Sequence, residues 1–197
     1  LDISSRNLSR YVAKFGPYPA WKDTAAHYFS CGEEMYPQLL ADLEKAEKFI
    51  FLEFFILRSG KMWDGVEQIL RRKAAQGVDV RLIYDDFGSL LGLPSDFCHP
   101  HGEGAYPLHP LSTPVVPLVS LVMNHRDHRK IVVVDGKTAF TGGFNLADEY
   151  INQKERFGYW CDTGVRLQGP AAWSFATIFL ELWASQRPDD PGLDAYR

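Results

Sequence analysis

The stretch NHRDHRKIVVVDGKTAFTGGFN, Asn124 to Asn145, reads as two strands, His128 to Asp135 and Lys137 to Thr141. Asp135-Gly136 between them is a hairpin-turn dipeptide. If the stretch begins extended, side chains alternate, so Asn124, Arg126, His128 and Lys130 share one face. A guanidinium, an imidazole and an ammonium side by side repel one another and are hard to bury without an anion. The economical anion is a substrate phosphate. Asp135 has the other parity and fixes the turn. Gly142-Gly143 would let the backbone approach a phosphate, and Asn145 could donate to one of its oxygens. A single His-x-Lys is commonly a solvated strand face and a single Gly-Gly a turn; their conjunction is what points to phosphate.

Working outward, Tyr36, Leu39, Leu40 and Leu43 form the apolar stripe of a helix over Glu33 to Lys48, with Pro37 tolerated near its first turn. Phe49 to Leu57 is an aromatic and β-branched run, the pattern of a strand buried on both faces. Trp63, Val66, Ile69, Leu70 and Lys73 resume helical spacing, which Gly77 ends. Val78 to Tyr84 is a second strand, so helix and strand alternate as in a parallel α/β sheet. The proline-rich 94–117 region predicts mostly loop. Tyr159 to Leu167 is another strand. Pro170 suits the first position of a closing helix with Phe175, Ile178, Phe179 and Leu182 on its core face. The pattern predicts one α/β/α sandwich with a mixed central sheet over 31–197, after an irregular or partly extended lead-in over 1–30.

Bulk properties bound the function. The 197 residues carry 46% hydrophobic and 23% charged side chains, ordinary for a globular domain. A formal charge of −4 disfavours nucleic-acid binding by gross electrostatics. Three cysteines without a C-x-x-C pair suit a reducing compartment and give no disulfide framework. No run approaches the ~20 apolar residues of a membrane span. The start at Leu1 rather than Met raises the expectation of a trimmed or processed chain with further segments elsewhere. Cys98, His99, His101 and His109 fit no common zinc spacing, so neither a metal nor another cofactor is expected.

His128-x-Lys130, then four residues and Asp135, and Gly142-Gly143-x-Asn145 resemble the signature of the phospholipase D superfamily. The flanks NHRDHRKIVVVDGK and TGGFNLADEYIN, with FLEFFIL around Glu53 and YDDFGS around Asp85 and Asp86, are similar to its bacterial cardiolipin synthase branch. The resemblance runs from about Glu33 to Trp183. It implies metal-free, two-step phosphoryl chemistry in which one His attacks phosphorus and a second protonates the leaving alcohol. His128, Lys130 and Asp135 would be the catalytic motif. Lys130 and Asn145, with Gly142, Gly143 and Arg126, would hold the phosphate, and Asp162 in YWCDTGV would orient the imidazole. The implied donor and acceptor are phosphatidylglycerol, and the products cardiolipin and glycerol.

The family carries two His-x-Lys motifs and this chain has one, which implies that a second half from the same parent chain completes the site. The competing enzyme reading is a phosphodiesterase or nuclease completed by a homodimer mate; a membrane-peripheral domain without turnover is the non-enzymatic one. The parent would sit at a bacterial cell membrane, with this piece soluble and no nucleic-acid partner. Glu53, inside an apolar strand, is either paired to a catalytic cation or a strand-end charge, and Asn124 would support the same site. Val115 to Val119, between Pro114 and Pro117, would form an apolar rim meeting the membrane surface or the missing half.

Overall fold

In the computed structural model the order of elements is α1 (Ile3–Phe15), β1 (Ala25–Phe29), α2 (Gly32–Leu43), β2 (Phe49–Phe54), α3 (Lys61–Ala75), β3 (Asp79–Asp85) and a short α4 (Asp86–Ser89). There follow β4 (Leu108–Leu111), β5 (Ile131–Val134), β6 (Thr138–Gly142), a 3-10 turn (Asp148–Ile151), β7 (Gly164–Gln168) and α5 (Ala172–Gln186). The structure describes residues 2–16, 18–89, 93, 108–111, 126–187, 190 and 196, with side chains omitted at 86, 87 and 108–111. Asn124, Cys98, His99, His101 and the 115–119 rim lie outside the described residues.

The seven strands form one sheet in the order β1-β7-β6-β5-β2-β3-β4. β2, β3 and β4 run parallel, and every other neighbouring pair is antiparallel, so the sheet is mixed as expected. β2 sits near the centre with all six residues buried, which is why its sequence is apolar without alternation. Ile50, Leu52 and Phe54 pack with Met35, Leu39, Met62 and Trp63 from α2 and α3. Phe49 and Phe51 pack on the other face with Phe179, Leu180 and Trp183 of α5. Phe51 stacks on Phe179 with ring centroids 4.7 Å apart. Helices on both faces make the expected three layers.

Several local readings change. Residues 1–30, expected to be irregular or partly extended, hold the helix α1 as well as the extended edge strand β1, which joins the sheet by pairing with β7. Mostly exposed residues in β1 left no apolar alternation to detect. β4 emerges from the proline-rich region as an edge strand, the position where Pro110 costs least. Pro37 lies inside α2 rather than in its first turn. The core face of α5 is Ala172, Ala176, Phe179, Leu180 and Trp183, with Phe175, Ile178 and Leu182 at its margin. β5 begins only at Ile131, because its neighbours β2 and β6 end at Phe54 and Gly142, just past the residues paired with Ile131.

Asp135 occupies the turn after β5 with φ 52°, a left-handed conformation that Asp tolerates. Its carboxylate accepts the backbone N–H groups of Glu47, Lys48 and Phe49 at 2.8–2.9 Å. It therefore ties the turn to the start of β2, a full strand away from His128. This is the turn-fixing position that its parity predicts, and among the described residues no hydrogen bond joins Asp135 to His128 or Lys130.

Candidate active site

Residues 126–130 lead into β5 and bring their side chains out alternately. On the side facing α2 and α3, Lys130 is 5% exposed and its ammonium lies 2.9 Å from Nδ1 of His128. It also donates to the His128 carbonyl at 2.6 Å. Phe55, just past β2, closes the group. Its ring centroid is 4.8 Å from that of His128 and 5.5 Å from the Lys130 Nζ. Lys130 lines a small cavity together with Phe54, Val132, Phe140 and Phe144. Among the described residues no carboxylate forms an ion pair with this ammonium.

Electrostatics follow from that placement. Burial pulls the Lys130 pKa down to about 8, with partial relief from the fields of Asp127 and Asp162. Burial and then the Lys130 charge push His128 below the usual imidazole value. The pair is a cation and a neutral imidazole at pH 7, exposed to an incoming anion through His128. An ammonium can only donate, so Nδ1 accepts and the ring hydrogen resides on Nε2.

Arg126 is aligned with this side. Its Nη1 lies 3.4 Å from both oxygens of Asp85, which is 1% exposed and accepts the Gly88 N–H at 2.9 Å. Asp85 thus anchors the guanidinium beside His128, on which its field also acts.

Three expected contacts are redrawn. Among the described residues no hydrogen bond joins Asp162 to His128. Asp162 accepts the Thr163 N–H at 2.8 Å and lies over Gly143, where any Cβ would collide with its carboxylate. Its field reaches Lys130 instead. Gly142 and Gly143 are required by β7 and its lead-in: the Gly143 N–H donates to the Thr163 carbonyl at 3.0 Å, and a Cβ on Gly142 would strike the same carbonyl. Asn145 is 2% exposed; Oδ1 accepts the Ile56 N–H at 2.9 Å and Nδ2 donates to the Tyr150 hydroxyl at 2.6 Å. Both ends of its amide are thus engaged in fastening the segment that carries Phe55. Phe55, Asp85 and Tyr150 are the site-building residues that sequence reasoning did not assign; the polar Asn145 and Asp85 beside apolar runs were the available signal.

Glu53 resolves to neither expected alternative. It points to the α5 side, away from His128 and Lys130, with Arg129 Nε 2.7 Å from its Oε1. The same Nε lies 3.0 Å from Oδ1 of Asp127, which also accepts the Arg129 N–H at 3.1 Å. Burial, then the neighbouring Asp127, raises the Glu53 pKa to about 9, so it holds a proton at neutral pH. Burial opposes ionisation of Asp127 too, but hydrogen bonds from Glu53 and Arg129 outweigh it and hold Asp127 ionised.

A three-layer mixed sheet with a His-x-Lys pair converging beside its central strands defines a phospholipase D superfamily domain. The family model described as "Cardiolipin synthase, PLD-like domain" matches residues 39–183, and the chain belongs to that family. It is 45% identical over 183 residues to an uncharacterized protein of Streptococcus mutans, covering 93% of this chain and 40% of that one. It is 36% identical over 164 residues to a cardiolipin synthase of Listeria innocua, covering 83% of this chain and 34% of that one. Among solved structures, the phospholipase D family member Nuc from Salmonella typhimurium superposes with a TM-score of 0.57 at 16% identity, covering 86% of this chain and 98% of that one. The chain spans about a third to two fifths of the length of its curated relatives.

Proposed function

We propose that this chain supplies one catalytic half of a cardiolipin synthase-like phosphatidyltransferase, acting on phosphatidylglycerol at a membrane. The observation that carries the reading is the buried Lys130 ammonium, set against an accessible imidazole and lacking a carboxylate counter-ion among the described residues. A phosphodiester supplies the missing charge. As its oxygen takes the Lys130 hydrogen bond, Nδ1 of His128 is released and the ring can change tautomer. A phosphatidyl phosphorus then forms a bond to one imidazole of the paired site as its bond to the glycerol oxygen breaks, and the other imidazole protonates that oxygen. The hydroxyl of a second phosphatidylglycerol reverses the arrangement: its oxygen bonds to phosphorus, its proton passes to the imidazole that acted as acid, and the phosphohistidine bond breaks. Lys130 and Arg126 stabilise charge on the non-bridging oxygens throughout. The second imidazole comes from another half in the parent chain.

The test uses the full-length parent protein with phosphatidylglycerol vesicles labelled at the headgroup-linked phosphorus. Cardiolipin and glycerol should appear in equal amounts, with acid-labile, base-stable label on the protein that His128→Ala alters or abolishes. Turnover without any labelled intermediate, or cleavage to phosphatidic acid alone, would overturn the transfer mechanism. Cleavage of a generic phosphodiester by a dimer of the present chain would instead support the homodimeric phosphodiesterase.

A further inference from the structure

We propose that α1 is a membrane-docking helix which lies in the interface of an anionic bilayer. The inference deepens the lipid-substrate reading by assigning the element that holds the protein on the surface. None of the residues of α1 is buried. Leu8, Tyr11, Val12 and Phe15 nevertheless form an i, i+3, i+4, i+7 stripe, each between 44% and 65% exposed. Tyr11 and Phe15 stand together at its C-terminal end, with centroids 4.8 Å apart. Arg6, Arg10 and Lys14 recur every fourth residue on another face, and no acidic residue lies within Ile3–Phe15. The chain as a whole is net negative, so this concentration of positive charge is local.

The helix is closed at both ends by its own residues. Asp2 accepts from the Ser5 N–H at 2.8 Å and from its hydroxyl at 2.7 Å, and the Gly16 N–H donates to the Val12 carbonyl at 2.7 Å. Caps define where a helix begins and stops, but a helix of 13 residues is marginal in water without an apolar partner. The stripe therefore needs a surface. Four apolar side chains are too few for a sustained coiled-coil seam, which takes three or more heptads. A polar face of uniform positive charge suits phosphate headgroups, and clustered aromatic rings suit the boundary between headgroups and acyl chains. An anionic lipid surface satisfies the stripe, the aromatics and the cations together.

The experiment is co-sedimentation of the chain with vesicles of phosphatidylcholine containing a quarter phosphatidylglycerol, and with phosphatidylcholine alone. The chain should bind the anionic vesicles. Leu8→Ser with Phe15→Ser should lower the affinity about tenfold or more, and Arg10→Gln with Lys14→Gln about fivefold for each charge removed. In a Tyr11→Trp variant, anionic vesicles should move the indole fluorescence to shorter wavelength. No vesicle binding, equal binding to both lipid mixtures, undiminished binding of the serine variant, or an unmoved emission spectrum in the Tyr11→Trp variant would each overturn the proposal. So would a lipid-free dimer that the serine variant converts to monomer, because the stripe would then be covered by a second copy. Binding is read without turnover. A His128→Ala protein that still docks, beside a parent that makes no cardiolipin, would sink the proposed reaction and leave the docking helix standing.

Discussion

Lys130 and Arg129 are adjacent cations in one five-residue segment, yet they face opposite layers of the molecule with opposite electrostatic surroundings. On the α5 side, Arg129 lies between Asp127 and Glu53, and the carboxyl pair keeps one proton, so the group is close to neutral. On the α2–α3 side, Lys130 has an imidazole and a carbonyl for partners, and burial pulls its pKa down. The first arrangement stabilises the approach to β5. The second costs stability and keeps an anion site poised, the trade expected where binding rather than folding sets the residue.

Substituting the two cations should separate these roles most strongly. Lys130→Met in the full-length parent should lower phosphatidyl transfer about 10³-fold, since it removes electrostatic stabilisation of the phosphoryl oxygens. The same change should leave the fold as stable as wild type or about 1 kcal/mol more stable, because an uncompensated buried ammonium is replaced by an apolar chain. Arg129→Met should do the reverse, costing about 2–3 kcal/mol, because Asp127 loses its cation while the half-exposed Arg129 gives up only part of a fully buried pair. Thermal unfolding would show it as a drop of several degrees, about 2–4 °C per kcal/mol. Equal stability of the two variants would break the comparison.

Next in size is Asp135→Ala, which leaves three backbone N–H groups around the start of β2 without their acceptor. A loss of about 2 kcal/mol in denaturant unfolding is expected, with turnover per folded molecule retained. If turnover instead collapsed while stability held, Asp135 would have the catalytic role that the signature implies.

The carboxyl pair gives a pH signature. Glu53 keeps its proton in the folded protein up to about pH 9 but loses it near 4.5 when unfolded. Folding therefore takes up a proton in that window, and the contribution of Glu53 to stability falls as pH rises from about 5 towards 9. Glu53→Gln mimics the protonated form and should flatten that slope in unfolding curves; an unchanged slope would place the proton elsewhere. The smallest effect concerns the free site. Titrated by calorimetry, inorganic phosphate should bind a few-fold more weakly as pH passes about 8 and Lys130 loses its charge. Affinity constant to pH 10 would show an ordinary lysine.

Alternation along residues 126–130 is legible in the sequence, and so is the hairpin at Asp135-Gly136. Side-chain parity and turn chemistry are local properties. The all-apolar β2 and the helix–strand alternation that follows it likewise announced a layered α/β sheet, because burial on both faces leaves its mark on every residue. Which groups would meet across the chain was not legible. The resemblance brings Asp162 and Asn145 to the His-x-Lys pair, but Asp162 lies on Gly143 while Asn145 joins Ile56 to Tyr150. Glu53 finds Arg129 because β2 and β5 pair with Glu53 opposite Ile131, a register fixed by the whole sheet. The helix α1 is the converse case: its Leu8, Tyr11, Val12 and Phe15 stripe is present in the sequence, but only the structure shows that no residue of it is buried against the described chain. Short-range periodicity and turn propensity belong to the sequence by itself. The partner of each buried charge, and the face each apolar stripe is left to find, depend on packing between residues far apart in the chain, and only the tertiary structure decided them.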